Sequence, residues 1–185
     1  LKIKENKMQK NKIDIAKKTL KELENVSLKK ISIKKIVNGE NNIKFSSKND
    51  LLININRYFD FLLKKNLINM ENSSSKDMLF EVYMARLDIL NLHRKSILNI
   101  IENLYTQPKL VITLLPSIIE SIIVIATLSN IDVNGLKGIA KIKVLFILYL
   151  FIIFIWRSDE SASLEKTMTT LDKYLNNIEK FFKFL

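Results

Sequence analysis

Six lysines crowd into residues 29–48, Lys29, Lys30, Lys34, Lys35, Lys44 and Lys48, with Asn41 and Asn42 among them. Ammonium groups neutralise phosphates, and an asparagine side chain reads adenine through two hydrogen bonds. The pattern suits a polyanion, and Lys34, Lys35, Asn41, Asn42, Lys44 and Lys48 are the candidate DNA contacts. No arginine precedes Arg57, so the best reader of guanine is missing from this segment. The same lysines also suit an ordinary solvated face.

Elsewhere the chemistry is sparse. His93 is the single histidine, so no second imidazole shares a metal with it, and a surface or helix-capping role is the simpler reading. Glu120 sits in an apolar stretch, where pairing with a lysine, lining a pocket and facing solvent all remain open. Asp159 and Glu160 fall in a short polar segment and read as a solvated turn. Cysteine is absent, which removes disulfides, thiolate metal sites and thiol catalysis and suits a reducing cytoplasm. No Ser/His/Asp set, glycine-rich phosphate loop or metal-ligand cluster occurs. The expectation is a cytoplasmic protein that is not an enzyme and needs no metal or cofactor.

Charge is distributed unevenly. The net +11 splits into fourteen Lys/Arg against six Asp/Glu in residues 1–50, and sixteen against thirteen in residues 51–185. The N-terminal +8 points that segment toward nucleic acid or an anionic membrane surface, although lysine is abundant along the whole chain.

What must position these residues is helical. Three glycines and two prolines in 185 residues are too few for the tight turns of a β-rich fold, and 48% hydrophobic residues can build a core. Ile13, Ala16, Leu20 and Leu23 recur at helical spacing from about Gln9 to Glu24, after a basic lead-in over residues 1–8. Ser32 is placed to cap a short helix carrying Ile33, Ile36 and Val37, and Asn38-Gly39 marks a turn. Ser47 opens a long helix to about Ile68 with a stripe of Leu51, Leu52, Ile55, Phe59, Leu62 and Leu63. Further helices are expected over about 75–91, 93–105, 108–128, 139–157 and 162–185, with Pro108 in a first turn and Pro116 as a kink.

Two stretches invite a membrane reading. Val144 to Trp156 is an unbroken apolar run, but thirteen residues reach only about 20 Å, short of the roughly 30 Å hydrocarbon core. Leu110 to Leu128 is long enough but contains Pro116, Ser117, Glu120 and Ser121. The first forty residues are charged throughout, unlike a secretory leader. A helix buried on all sides, as at a subunit interface, fits the run better than a membrane hairpin. Because 139–157 is apolar all round and 162–185 has one strong stripe, the two are expected to form a homodimer's four-helix interface, with Leu150, Phe154, Leu171, Leu175 and Ile178 in the seam.

Several stretches resemble the TetR family. SIKKIV (Ser32 to Val37) is similar to the second helix of that family's helix-turn-helix. FSSKNDLL (Phe45 to Leu52) is similar to its junction of recognition helix and long fourth helix. MLFEVYMARLDILNLHR (Met78 to Arg94), NIDVNGLKG (Asn130 to Gly138) and WRSDESASLEKTMTTLDKYL (Trp156 to Leu175) resemble a proteobacterial branch near TetR-fold lipid-binding proteins that assist ubiquinone biosynthesis. The resemblance implies an all-α fold of about nine helices. A degenerate three-helix N-terminal domain (1–68) would join, through a long helix, a C-terminal ligand-binding and dimerisation bundle (69–185). It implies a pocket for a small apolar ligand or lipid at Tyr83, Met84, Leu87, Leu114, Ile118, Ile122, Phe146 and Tyr149. In TetR relatives a turn and a full recognition helix separate the equivalents of Ile36 and Phe45. Here only residues 37–44 intervene, roughly six fewer than a turn and a major-groove helix require.

Two functions follow from the resemblance. The first is a DNA-binding transcriptional regulator controlled by a small apolar ligand. The second is a lipid- or isoprenoid-quinone-binding accessory protein with peripheral membrane contact that no longer binds DNA.

Overall fold

The computed structural model describes residues 2–38 and 45–184, with side chains described from Gln9 onward. The described residues are all-helical, with no strand and eight α-helices. These are α1 (Lys2–Leu23), α2 (Ile33–Val37), α3 (Lys48–Asn66), α4 (Ser75–Leu92), α5 (Arg94–Thr106), α6 (Pro108–Leu128), α7 (Gly135–Arg157) and α8 (Glu165–Phe184), with a single 3-10 turn at Leu28–Lys30. About nine helices were expected. The segment that would hold another, 40–45, lies outside the described residues except for Phe45.

Helix starts follow local chemistry. Ser32 accepts the Lys35 N–H at 3.4 Å and caps α2. At α3 the carboxylate of Asp50 accepts the N–H groups of Ser46 and Ser47, both at 2.8 Å, while the Ser47 hydroxyl accepts the Asp50 N–H at 3.2 Å. That reciprocal pair is a capping box, and it satisfies donors that a helix start otherwise leaves bare. Ser74 repeats half of this at α4, accepting the Asp77 N–H at 3.2 Å. Proline opens α6, and the helix runs on through the exposed Pro116.

Two elements are longer than the periodicity suggests. α1 extends back to Lys2 through the basic lead-in. α7 starts at Gly135, so the thirteen-residue apolar run lies inside a helix of 23 residues, and the length objection to a span falls away. Asn134 is its N-cap residue and Gly135 takes φ +64. Gly138 lies where the helix meets its own lead-in loop. An added Cβ there would fall 2.0 Å from the carbonyl carbon and oxygen of Val133.

The chain divides into two compact units, each discontinuous in sequence. Unit 1 joins Leu1–Phe61 with Leu90–Ile118, and unit 2 joins Leu62–Ile89 with Ile119–Leu185. In unit 1, α5 clamps the end of α1. The Ser96 hydroxyl donates to Leu20 O at 2.7 Å, and the Asn99 amide donates to Leu23 O at 2.7 Å and Val26 O at 2.9 Å. Asn99 Oδ1 also accepts the Leu28 N–H at 3.3 Å, so one side chain settles the backbone where α1 stops and the next turn begins. Ile15, Leu20, Leu23, Leu51 and Phe59 fill the space beneath.

In unit 2, α7 packs on α8. Leu145, Ile152 and Trp156 from α7 and Leu171 and Leu175 from α8 are buried. The rings of Phe151 and Tyr174 meet at 4.8 Å. The hydroxyl of the fully buried Tyr83 on α4 donates to Leu145 O at 2.8 Å, so α7 is fixed from that side too.

Candidate functional site

The expected DNA contacts are only partly described. Asn41, Asn42 and Lys44 lie outside the described residues. Lys34 and Lys35 are exposed on α2, a helix of five residues, next to exposed Lys29 and Lys30 on the 3-10 turn. Lys35 is drawn to Glu22 at 2.9 Å, and Lys48 donates to Lys29 O. The head is therefore basic, but Ser46 and Ser47 belong to the start of α3. No helix follows α2 among the described residues before Lys48. A major-groove reader needs a helix that enters with its first turns.

The expected ligand residues pack. Tyr83, Leu87 and Ile122 are fully buried, Leu114 and Tyr149 nearly so, and Met84, Ile118 and Phe146 are half-buried. The Tyr83 and Tyr149 rings lie 6.3 Å apart, and burial first, then the neighbouring Tyr149, pushes the Tyr83 phenol well above its ordinary range.

The expected dimer seam splits. Leu171 and Leu175 are 0% and 1% exposed, because they form the contact of α8 with α7 inside the chain, and they are corrected to core residues. Ile178 is half-buried. Leu150 and Phe154 lie on the opposite side of α7 and are exposed, Phe154 by 61%. They belong to a stripe of Leu136, Ile139, Lys143, Ile147, Leu150, Phe154 and Arg157, successive members three or four residues apart, all exposed. The sequence pattern contains this stripe, but a helix apolar on every side gives no signal of which side its own chain covers.

Asp159 departs from its first reading, while His93 and Glu120 settle within theirs. Asp159 is 4% exposed rather than part of a solvated turn. Burial would push its carboxyl up, but hydrogen bonds from Ser161 and Thr167 outweigh that and hold it at about 2. His93 occupies the N-cap position of α5 without a side-chain cap, and its ring stacks on Phe59 at 5.6 Å. Glu120 faces the exposed side of α6.

Unit 2 also holds a half-open cleft of about 410 Å³. Leu79, Ile131, Leu175, Ile178 and Phe182 form its apolar lining, and Lys76, Lys141 and Lys183 stand around it together with Asp132 and Glu179. The sequence reading missed this place, whose parts come from α4, the loop after α6, α7 and α8. The loop segment Asn130 to Gly138 had stood out only for its resemblance. Among the described residues no group of His, Cys, Asp and Glu has the arrangement to hold a metal. Comparison with family models, with curated proteins and with solved structures finds no match to the chain.

Proposed function

We propose that this chain is a non-enzymatic, TetR-like lipid-handling protein that docks on anionic membrane surfaces through the exposed side of α7. The class of task is the one its resemblance to the lipid-binding proteins of ubiquinone biosynthesis implies. The observation that carries the reading is α7 itself. Its most apolar stretch has mean hydropathy 2.4, yet only 28% of it is buried within the chain. Ile147 and Phe154 are 66% and 61% exposed. An apolar face of this kind requires a cover, and its charges select one. The exposed stripe carries Lys143 and Arg157, and the helix has no carboxylate. An apolar stripe interleaved with cations that reach outward is the chemistry of a helix lying at an anionic lipid interface. The buried half of α7, held by Trp156, Ile152 and the Tyr83 bond, keeps it attached to the protein while the other half faces lipid.

The test is flotation of detergent-free protein with vesicles, comparing purely zwitterionic vesicles with vesicles rich in phosphatidylglycerol. Protein rising with the anionic vesicles and released by high salt is the expected result. Protein that stays at the bottom of both gradients overturns the proposal.

A homodimeric DNA-binding regulator is the second reading. What favours it is the run of three- and four-residue steps along the α7 stripe, the spacing that keeps one helix face toward a neighbour, together with the exposed lysines of the head. A dimer by light scattering that Phe154→Asp converts to a monomer, with salt-sensitive binding of one palindromic duplex over others, would replace the first reading with this one.

A further inference from the structure

The charges around the unit 2 cleft are not equivalent. Lys76 is bound to Asp172 at 3.1 Å and Lys183 to Glu179 at 2.8 Å, so each already faces a carboxylate. The Asp132 carboxylate is occupied by the N–H of Asn134 at 3.0 Å and its side-chain amide at 2.7 Å. Those hydrogen bonds, with Lys141 as a smaller influence, hold it below its ordinary range. Lys141 acts on that carboxylate without forming an ion pair with it. Its ammonium donates to the uncharged carbonyl of Asp132 at 3.3 Å and lies 5.8 Å from the centre of the Phe182 ring. A cation at the mouth of an apolar cleft, held by a long hydrogen bond and a ring face, exchanges those contacts readily for an anionic oxygen.

We propose that this cleft binds one long-chain carboxylate, its head on the Lys141 ammonium and its chain against Ile178 and Phe182, over a floor of Leu79, Ile131 and Leu175. The volume, about 410 Å³, is that of a site for one small ligand rather than for a two-chain lipid. The apolar lining is four aliphatic side chains and the Phe182 ring, and Lys141 lies over that ring. The assignment rests on the lipid-handling reading for its class of ligand, but on none of the exposed α7 residues that carry that reading.

Titration calorimetry of the detergent-free full chain with dodecanoate, kept below its micellar concentration, tests it. Saturable one-to-one binding is expected, weakened about tenfold in Lys141→Met, the scale of one charge-assisted hydrogen bond, and recovered in Lys141→Arg. The dodecyltrimethylammonium ion, with the same chain and the opposite charge, is expected to bind more weakly than dodecanoate. Ile178→Glu is expected to abolish binding while the helical circular dichroism is retained. Absence of saturable binding, equal affinity in Lys141→Met, or equal affinity for the two head charges overturns the proposal. Vesicle flotation read on the same preparations separates the outcomes, since a chain that floats but does not bind dodecanoate loses the cleft and keeps the docking surface.

Discussion

Asp159 and Thr167 are joined twice through a single carboxylate oxygen, which accepts the Thr167 N–H at 2.8 Å and the Thr167 hydroxyl at 2.7 Å. The other oxygen takes the Ser161 hydroxyl at 2.6 Å and the Ser161 N–H at 3.2 Å. The Asp159 N–H in turn bonds Trp156 O at 3.1 Å at the end of α7. One acid therefore fastens the turn between α7 and α8 and terminates two helices at once.

Asp159→Ala is accordingly expected to cost about 2 kcal/mol, combining the loss of a helix-start acceptor with a buried N–H and hydroxyl left bare. The pH dependence has a definite sign. The folded carboxyl is held at about 2, below its ordinary 3.8, so its contribution is complete above pH 4 and disappears as pH falls from there toward 2. Denaturant unfolding of wild type and Asp159→Asn between pH 5 and pH 2 checks this. The wild-type curve should fall more steeply, and parallel curves would exclude the assignment.

His93 supplies a second titration in a separate window. Burial against Phe59 disfavours its charged form most, and the nearby Glu24 offsets that only in part, so its pKa lies below 6.5. A depressed histidine stabilises the fold when neutral. Its contribution is present above pH 6.5 and is lost as pH falls through the depressed value. The thermal midpoint should decline between pH 7.5 and pH 5.5, and His93→Phe, which keeps a ring against Phe59, should flatten that decline. An unchanged slope in the variant would place the titration elsewhere.

The glycines of α7 make a paired test. Gly138→Ala puts a methyl group into the Val133 backbone at 2.0 Å, so loop or helix must move. Gly135→Ala meets nothing within 4 Å but places alanine at φ +64. Left-handed backbone costs a non-glycine residue roughly 1–2 kcal/mol, whereas a clash with backbone has no such ceiling. Both variants should lower the thermal midpoint, Gly138→Ala more. The reverse order would show that the loop yields easily.

Local signals in the sequence carried much of this architecture. Ser47 and Asp50 at capping-box spacing, Ser32 before an apolar residue and Pro108 in the first turn of α6 each act within a few residues, so the chain text contains them. Asn99 and Ser96 were invisible because a polar residue within a helix ordinarily reads as solvated. Their partners, Leu20, Leu23 and Val26, lie more than seventy residues away in sequence. Asp159 was misread for the same reason, since its burial depends on α8 folding back. The candidate pocket residues were correctly apolar, but spacing cannot tell a packed core from a cavity.

The clearest separation of stability from docking lies across α7 and its partner helix. Phe154→Asp and Ile147→Asp alter exposed positions and should change unfolding free energy by only about 0.5 kcal/mol, while abolishing flotation with anionic vesicles. Leu171→Ala empties a site that is 0% exposed and should cost about 2–5 kcal/mol, with docking kept at temperatures where the variant remains folded. The contrast follows from the division of labour on α7, whose one side is satisfied by α8 and whose other side is left exposed by the described residues. If Phe154→Asp instead unfolds the protein as severely as Leu171→Ala, the stripe is core, and the docking surface must be sought on another face.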